Sequence, residues 1–236
     1  IRSTAINVSN FGIEGLADHY VVNRGDVVAG DIANGIRSES WHGSSSVYNE
    51  GSVTVGSGHL LDANEIEYRE ISHGANSTGI ASVVAGGNDA YALAHNSGSV
   101  TTGDRAFGMV SSNVFTTGTF LSDEFAHNYT AAAINLGVIS TGDYSSGMAV
   151  NGYMALGYNG GSISIGSGSM QNNESVEVAA GMRTLSDTGL TATLLNTGDI
   201  TGGDEVAGMF AEAFFARSVQ LETGGVVVGD DSAGLV

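Results

Sequence analysis

The amino-acid sequence predicts an all-β chain folded as a single-domain parallel β-helix, a β-solenoid of about seven coils with roughly 24–26 residues in each. Three observations predict it. A signature, N-x-G-x-[I/V]-x-x-G-D-x-[small]-x-G-[M/I/L], recurs along the chain. The composition has 36 Gly and no Pro, Cys or Lys. Within each copy Val or Ile alternates with Gly, Ser and Thr, the period of a short strand with one face inward.

The clearest copies are NRGDVVAGDIANGI (23–36), NSGSVTTGDRAFGM (96–109), NLGVISTGDYSSGM (135–148) and NTGDITGGDEVAGM (196–209). A last copy, ETGGVVVGDDSAGL (222–235), places Glu222 in the Asn slot. Two copies are interrupted: NEGSVTVG (49–56) resumes at GANSTGI (74–80), and NGGSISIG (159–166) resumes at VAAGM (178–182). Insertions therefore lie near 57–73 and 167–177, and a third lies within 110–134, around TFLSDEFAHNY.

Each slot has a physical reading. The first is the Asn column, Asn23, Asn49, Asn96, Asn135, Asn159 and Asn196. An in-register Asn donates from its carboxamide to the Asn of the next coil and also satisfies the turn backbone, so a structural ladder is expected. The G-x-[I/V] segment that follows reads as a strand. Gly-Asp then marks a turn, because an Asp side chain can accept from a backbone amide two residues on and the preceding Gly tolerates backbone angles closed to other residues. A small residue comes next (Ala33, Ala106, Ser145, Ala179, Val206, Ser232), which suits a cramped inner corner. Gly-Met or Gly-Ile opens a second strand whose large side chain fills the axis, and the remaining dozen or so residues hold one or two further strands.

Bulk properties narrow the function. Against 25 acidic residues stand seven Arg, for a net charge of −18, which excludes the basic patches that nucleic acid and anionic lipid require. No apolar run is long enough to span a bilayer, so this segment is not expected to insert in a membrane. Without Cys there is no disulfide framework, thiolate site or cysteine nucleophile. The repeat runs nearly end to end, so one elongated domain over 1–236 is expected. The opening IRSTAINV has neither Met nor a basic n-region, and the first and last residues share a repeat phase. A processed or excised piece of a longer chain, able to continue end to end, is the expectation from that phase.

These units, lacking Cys and rich in Gly, Ser, Thr and Asn, resemble the passenger-domain repeats of Gram-negative autotransporters and related large secreted adhesins. The resemblance implies export through the outer membrane, a right-handed β-helix on the extracellular side, and adhesion or aggregation as its task. It covers essentially the whole chain, yet neither a signal nor a translocator barrel is seen in these residues.

Candidate chemistry sits where the repeat breaks, because loops on rigid scaffolds carry function. The first insertion holds Asp62, Glu65, Glu67 and Glu70 against one Arg69, and the third holds Glu174 and Glu177. These are candidate contact loops. Glycoside hydrolysis would need two of those carboxylates to converge, which their spacing does not force, so no catalytic residue is assigned. The Gly-Asp column offers a cation site: Asp104 and Asp143 fall on consecutive coils, as do Asp204 and Asp230. Their carboxylates would repel at about 5 Å unless they cap turn amides or hold Ca²⁺. Arg24-Gly25-Asp26 spells an integrin-binding tripeptide, but Gly25 is already demanded by the repeat. His59 and His73, which flank the first insertion, are too far apart in sequence to argue for a metal.

The expected function is a non-enzymatic extracellular structural or adhesive solenoid that displays contacts along a rod. Expected partners are further copies, head to tail or side by side, and glycans or host and matrix surfaces. The rival is a polysaccharide-acting β-helix enzyme or a tailspike-like glycan binder.

Overall fold

The computed structural model describes residues 6–9, 18–40, 43–58, 77–85, 90–114, 130–168, 179–184, 191–221 and 223–236. Every strand in these residues belongs to one of three parallel sheets, one of eight strands and two of seven. The chain visits the sheets in a fixed rotation, and each strand pairs with the strand three elements later. The architecture is a parallel β-helix.

One sheet is built from strands that end on the repeat Asn, such as Tyr91–Asn96, Thr130–Asn135 and Met154–Asn159, and is called the Asn sheet. A narrow sheet follows it, with strands such as Ser52–Val55, Ser99–Thr102 and Ser162–Ile165. The Met sheet closes each turn, with strands such as Ala106–Val114, Ser146–Asn151 and Ala180–Thr184. The dozen residues before each Asn thus supply one strand.

Alternation sets the inward face. In the Asn sheet Ala92, Ala94 and Asn96 point inward, as do Ala131, Ala133 and Asn135 in the next coil. The narrow sheet turns in Val53, Val100, Ile139, Ile163 and Ile200, in register. From the Met sheet Ile36, Ile80, Met109, Met148, Met182 and Met209 form one column with no solvent exposure. Large Met and Ile side chains meet small Ala across the axis, so the volume of each coil stays nearly constant. Gly157 shows the compensation: a Cβ there would lie 2.6 Å from Leu194 Cδ2 of the next coil. The larger Leu194 occupies the space that its neighbour leaves, as close packing demands.

The Met sheet departs from the pattern of strands with one face inward. Its outward side chains are buried as well: Ala81, Val83, Phe107, Val110 and Ala149 form a second apolar cluster. Arg37 and Glu39 are also buried on that side, 3.0 Å apart, and the Arg183 guanidinium lies 4.9 Å from the centre of the Phe107 ring. Strands buried on both faces read as continuous apolar runs, which is why Phe107-Gly108-Met109-Val110 shows no alternation.

One glycine column is imposed by coil stacking. A Cβ on Gly51, Gly98, Gly137, Gly161, Gly198 or Gly224 would sit 1.9–2.1 Å from the carbonyl oxygen of the matching Gly in the preceding coil. The coils approach too closely there for any side chain. Gly25, in the same slot of the first described full coil, has nothing within 4 Å of its Cβ position.

The two positions make a controlled test. Gly137→Ala should lower the midpoint of denaturant unfolding, with a loss of about 1–3 kcal/mol or more from overpacking. Gly25→Ala should be neutral or gain up to about 1 kcal/mol through the unfolded chain. Equal losses at both sites would contradict the stacking explanation.

Candidate functional site

The polar columns run along the rod at two corners. At the first, each Asn Nδ2 donates to the Oδ1 of the Asn one coil on: Asn23 to Asn49, Asn49 to Asn96, Asn96 to Asn135 and Asn135 to Asn159, each 2.8 Å, and Asn159 to Asn196, 2.7 Å. The same Nδ2 atoms donate to the carbonyl of the Gly two residues on, at 2.9–3.4 Å, from Asn23→Gly25 to Asn196→Gly198. The six side chains are buried. Asn is the residue for this column because an uncharged carboxamide both donates and accepts, so it can pair with itself indefinitely. Asp has no donor and would stack like charges in a dry interior.

The ladder ends on a different residue from the one that spacing suggests. Asn196 pairs in register with Gln220 and donates to its Oε1 at 2.6 Å, while Ile200 pairs with Val226. The last corner is therefore two residues longer than the one before it, and Glu222 is not in the Asn slot. Glu222 itself lies outside the described residues.

The second corner holds Asp31, Ser57, Asp104, Asp143, Ser167, Asp204 and Asp230. Each side chain but the last, Asp230, accepts the backbone N–H of the same position one coil on: Ser57 N–H to Asp31 (2.8 Å), Asp143 N–H to Asp104 (2.9 Å), Ser167 N–H to Asp143 (2.9 Å) and Asp230 N–H to Asp204 (2.9 Å). Ser Oγ does the same for Asp104 (3.1 Å) and Asp204 (3.3 Å). The next residue takes the left-handed region without being Gly: Ile32 (φ 52°), Arg105 (51°), Tyr144 (56°) and Glu205 (55°). Its N–H donates to the corner carbonyl of the following coil, 2.7–2.9 Å away. Each such residue costs about 1–2 kcal/mol, offset by these two bonds across the coils.

This geometry explains the Gly-Asp pair as one device. A Cβ on Gly142 would lie 2.2 Å from Asp104 Oδ1, and one on Gly166 would lie 2.3 Å from Asp143 Oδ1. The Gly of each coil leaves room for the carboxylate of the coil before it. For Asp31, Asp104, Asp143 and Asp204 one oxygen faces an amide donor, whereas Ca²⁺ collects six to eight oxygens. Among the described residues no three His, Cys, Asp or Glu side chains gather around a common point.

Both corner serines stand where insertions leave the rod. The first insertion departs after Gly58 and the third after Gly168, from the same corner three coils apart, while the second departs after Val114 at the far end of a Met-sheet strand. The candidate contact residues Asp62, Glu65, Glu67, Glu70, Glu174 and Glu177, and also His59 and His73, lie outside the described residues. Arg24 is at an exposed corner, where its Nε lies 2.8 Å from Glu50, and that hydrogen bond lowers the Glu50 carboxyl below its ordinary range. Gly25 beside it is a slot of the glycine column, so the tripeptide is part of the scaffold.

Two outward faces are open. The narrow sheet shows a hydroxyl column of Thr54, Thr101, Ser140, Ser164 and Thr201, in register. The Asn sheet shows an apolar column that passes through Tyr48, His95, Ile134, Tyr158 and Leu195. Beside it Tyr20, Tyr91, Met154, Leu156 and Phe215 are 38–67% exposed. Burial holds the His95 imidazole below its ordinary pKa. These columns are invisible in the linear repeat, where the outward slots vary most. Aligning the units on Asn and reading the first, third and fifth residues before it, and the fifth after it, would have found them.

No family model, curated protein or solved structure matches the chain.

The corner chemistry separates capping from metal binding. Asp143→Ala should cost about 1–2 kcal/mol, as loss of a capping acceptor does. Asp143→Asn, which keeps Oδ1, should retain most of that, and a chelator should leave Tm unchanged. A chelator-sensitive Tm, with Asn as damaging as Ala, would identify a cation at this corner instead.

Proposed function

We propose that the chain is an extracellular structural or adhesive β-solenoid of a Gram-negative bacterial surface, working by repeated display along a rod. The observation that carries this reading is the register of the outward columns. Hydroxyl side chains on one face and apolar side chains on another recur coil after coil. A contact made by one coil is thus available again about 4.8 Å along the axis. Contacts that are individually weak then add through effective concentration. The interior polar columns hold coil to coil and are not free for a ligand.

Partners of this kind are glycans, matrix surfaces and further copies of the chain. Continuation end to end belongs to the same proposal. The strands Phe215–Gln220, Val226–Val227 and Ala233–Leu235 keep the register of the coil before them, and another coil would pair with them in the same way. A net charge of −18 without Lys sets the rod against nucleic acid and anionic lipid.

Display of the chain on a non-adherent bacterial host tests the proposal. Adhesion to matrix-coated or abiotic surfaces should rise steeply with the number of coils displayed, as avidity does. Turnover of a polysaccharide, abolished by replacing Glu65, Glu70, Glu174 or Glu177 with Gln, would overturn the proposal in favour of an enzyme.

A further inference from the structure

The outward face of the Asn sheet has the composition of a buried interface. Its outward positions in the described strands carry no Asp or Glu, although the whole chain has 25 acidic residues, and a single charged side chain, Arg217. Tyr, Met and Phe take the exposed places instead: Tyr20, Tyr91, Met154 and Phe215. Charge depletion with aromatic and Met enrichment marks the core of a protein–protein contact, and contiguous apolar patches of this kind are rarely left bare.

We infer that this face docks a second copy of the chain, sheet on sheet, so that two rods lie side by side. The inference deepens the proposed function and rests on its homotypic part. Size supports it: seven strands spaced about 4.8 Å apart, with six residues rising about 3.3 Å each, present roughly 600 Å². Two such faces bury about 1,200 Å², the lower bound for a specific interface.

The rings of this face pack on one another. Tyr20 and Tyr48 have centroids 5.0 Å apart and are tilted by 40°, and Tyr48 and His95 are 5.4 Å apart and tilted by 35°. Rings that close lean on one another along the column. A facing sheet can interdigitate its side chains with such a column. Beyond the apolar face, two chains of charge −18 repel. Salt therefore strengthens this pairing by screening, the reverse of an ion-paired contact.

Sedimentation velocity of the full chain at low and high salt tests the inference. The expected result is a concentration-dependent dimer that tightens in high salt and weakens roughly tenfold or more in Leu156→Asp and in Tyr20→Ser. Both substituted side chains are solvent-exposed, and circular dichroism verifies each fold. Thr101→Asp on the narrow sheet should leave the dimer unchanged. A monomer at every concentration and salt, or equal weakening by Thr101→Asp, overturns the inference. So does a monomer that Tyr20-dependently binds crystalline cellulose, which would assign the face to a neutral glycan. Host cells that still adhere in those cases would leave the adhesive reading standing, so the two failures are distinguishable.

Discussion

The whole rod depends on one bond repeated between coils, from the carboxamide of a buried Asn to the carboxamide of the same Asn one turn later. A parallel sheet alone permits register shifts. A buried Asn column does not, because a slip of one residue would strand a carboxamide in the interior, at a cost of about 1–3 kcal/mol for each unmet group. Register at this corner then dictates its neighbours. It brings the Gly two residues on within 1.9–2.1 Å, in Cβ terms, of the Gly below it, and it aligns Val and Ile of the narrow sheet with the Met column.

The second corner solves the same problem with different atoms. There the chain turns through a left-handed residue after each Asp, and the Asp or Ser of the corner supplies an oxygen where a strand would supply a carbonyl. Asp and Ser are interchangeable because only an acceptor is needed, and the corner is exposed enough to hold a carboxylate. Ser57 and Ser167 precede the two long insertions from this edge. The scaffold thus keeps its bond between coils at the points where it gives up its regular path.

Much of this was legible in the sequence, for a physical reason: a side chain that must match its own copy one coil away repeats with the coil. Asn, Gly-Asp, the small corner residue and Gly-Met are all of that kind, and they mark out the sheets and corners. Three features were hidden. Glu222 fits the spacing of the Asn slot, but strand register puts Gln220 opposite Asn196, and the two extra residues of the last corner follow it. The outer burial of the Met sheet was hidden because Phe107, Val110 and Ala149 sit in unbroken apolar runs, where one buried face reads like two. The apolar column of the Asn sheet varies from Tyr to His to Ile to Leu, so no signature flags it until strand phase is known. Of the candidate contact carboxylates, none lies among the described residues, and the case for function therefore rests on the open faces of the rod.

The central claim is that the Asn side chains hold coil to coil from a dry interior. Hydrogen exchange of the side-chain carboxamides, followed by nuclear magnetic resonance, reads this directly. The Nδ2 protons of Asn49, Asn96, Asn135 and Asn159 should exchange as slowly as the backbone amides of the strands they close. Exchange at the rate of solvent-exposed carboxamides, with the strand amides still protected, would contradict the account.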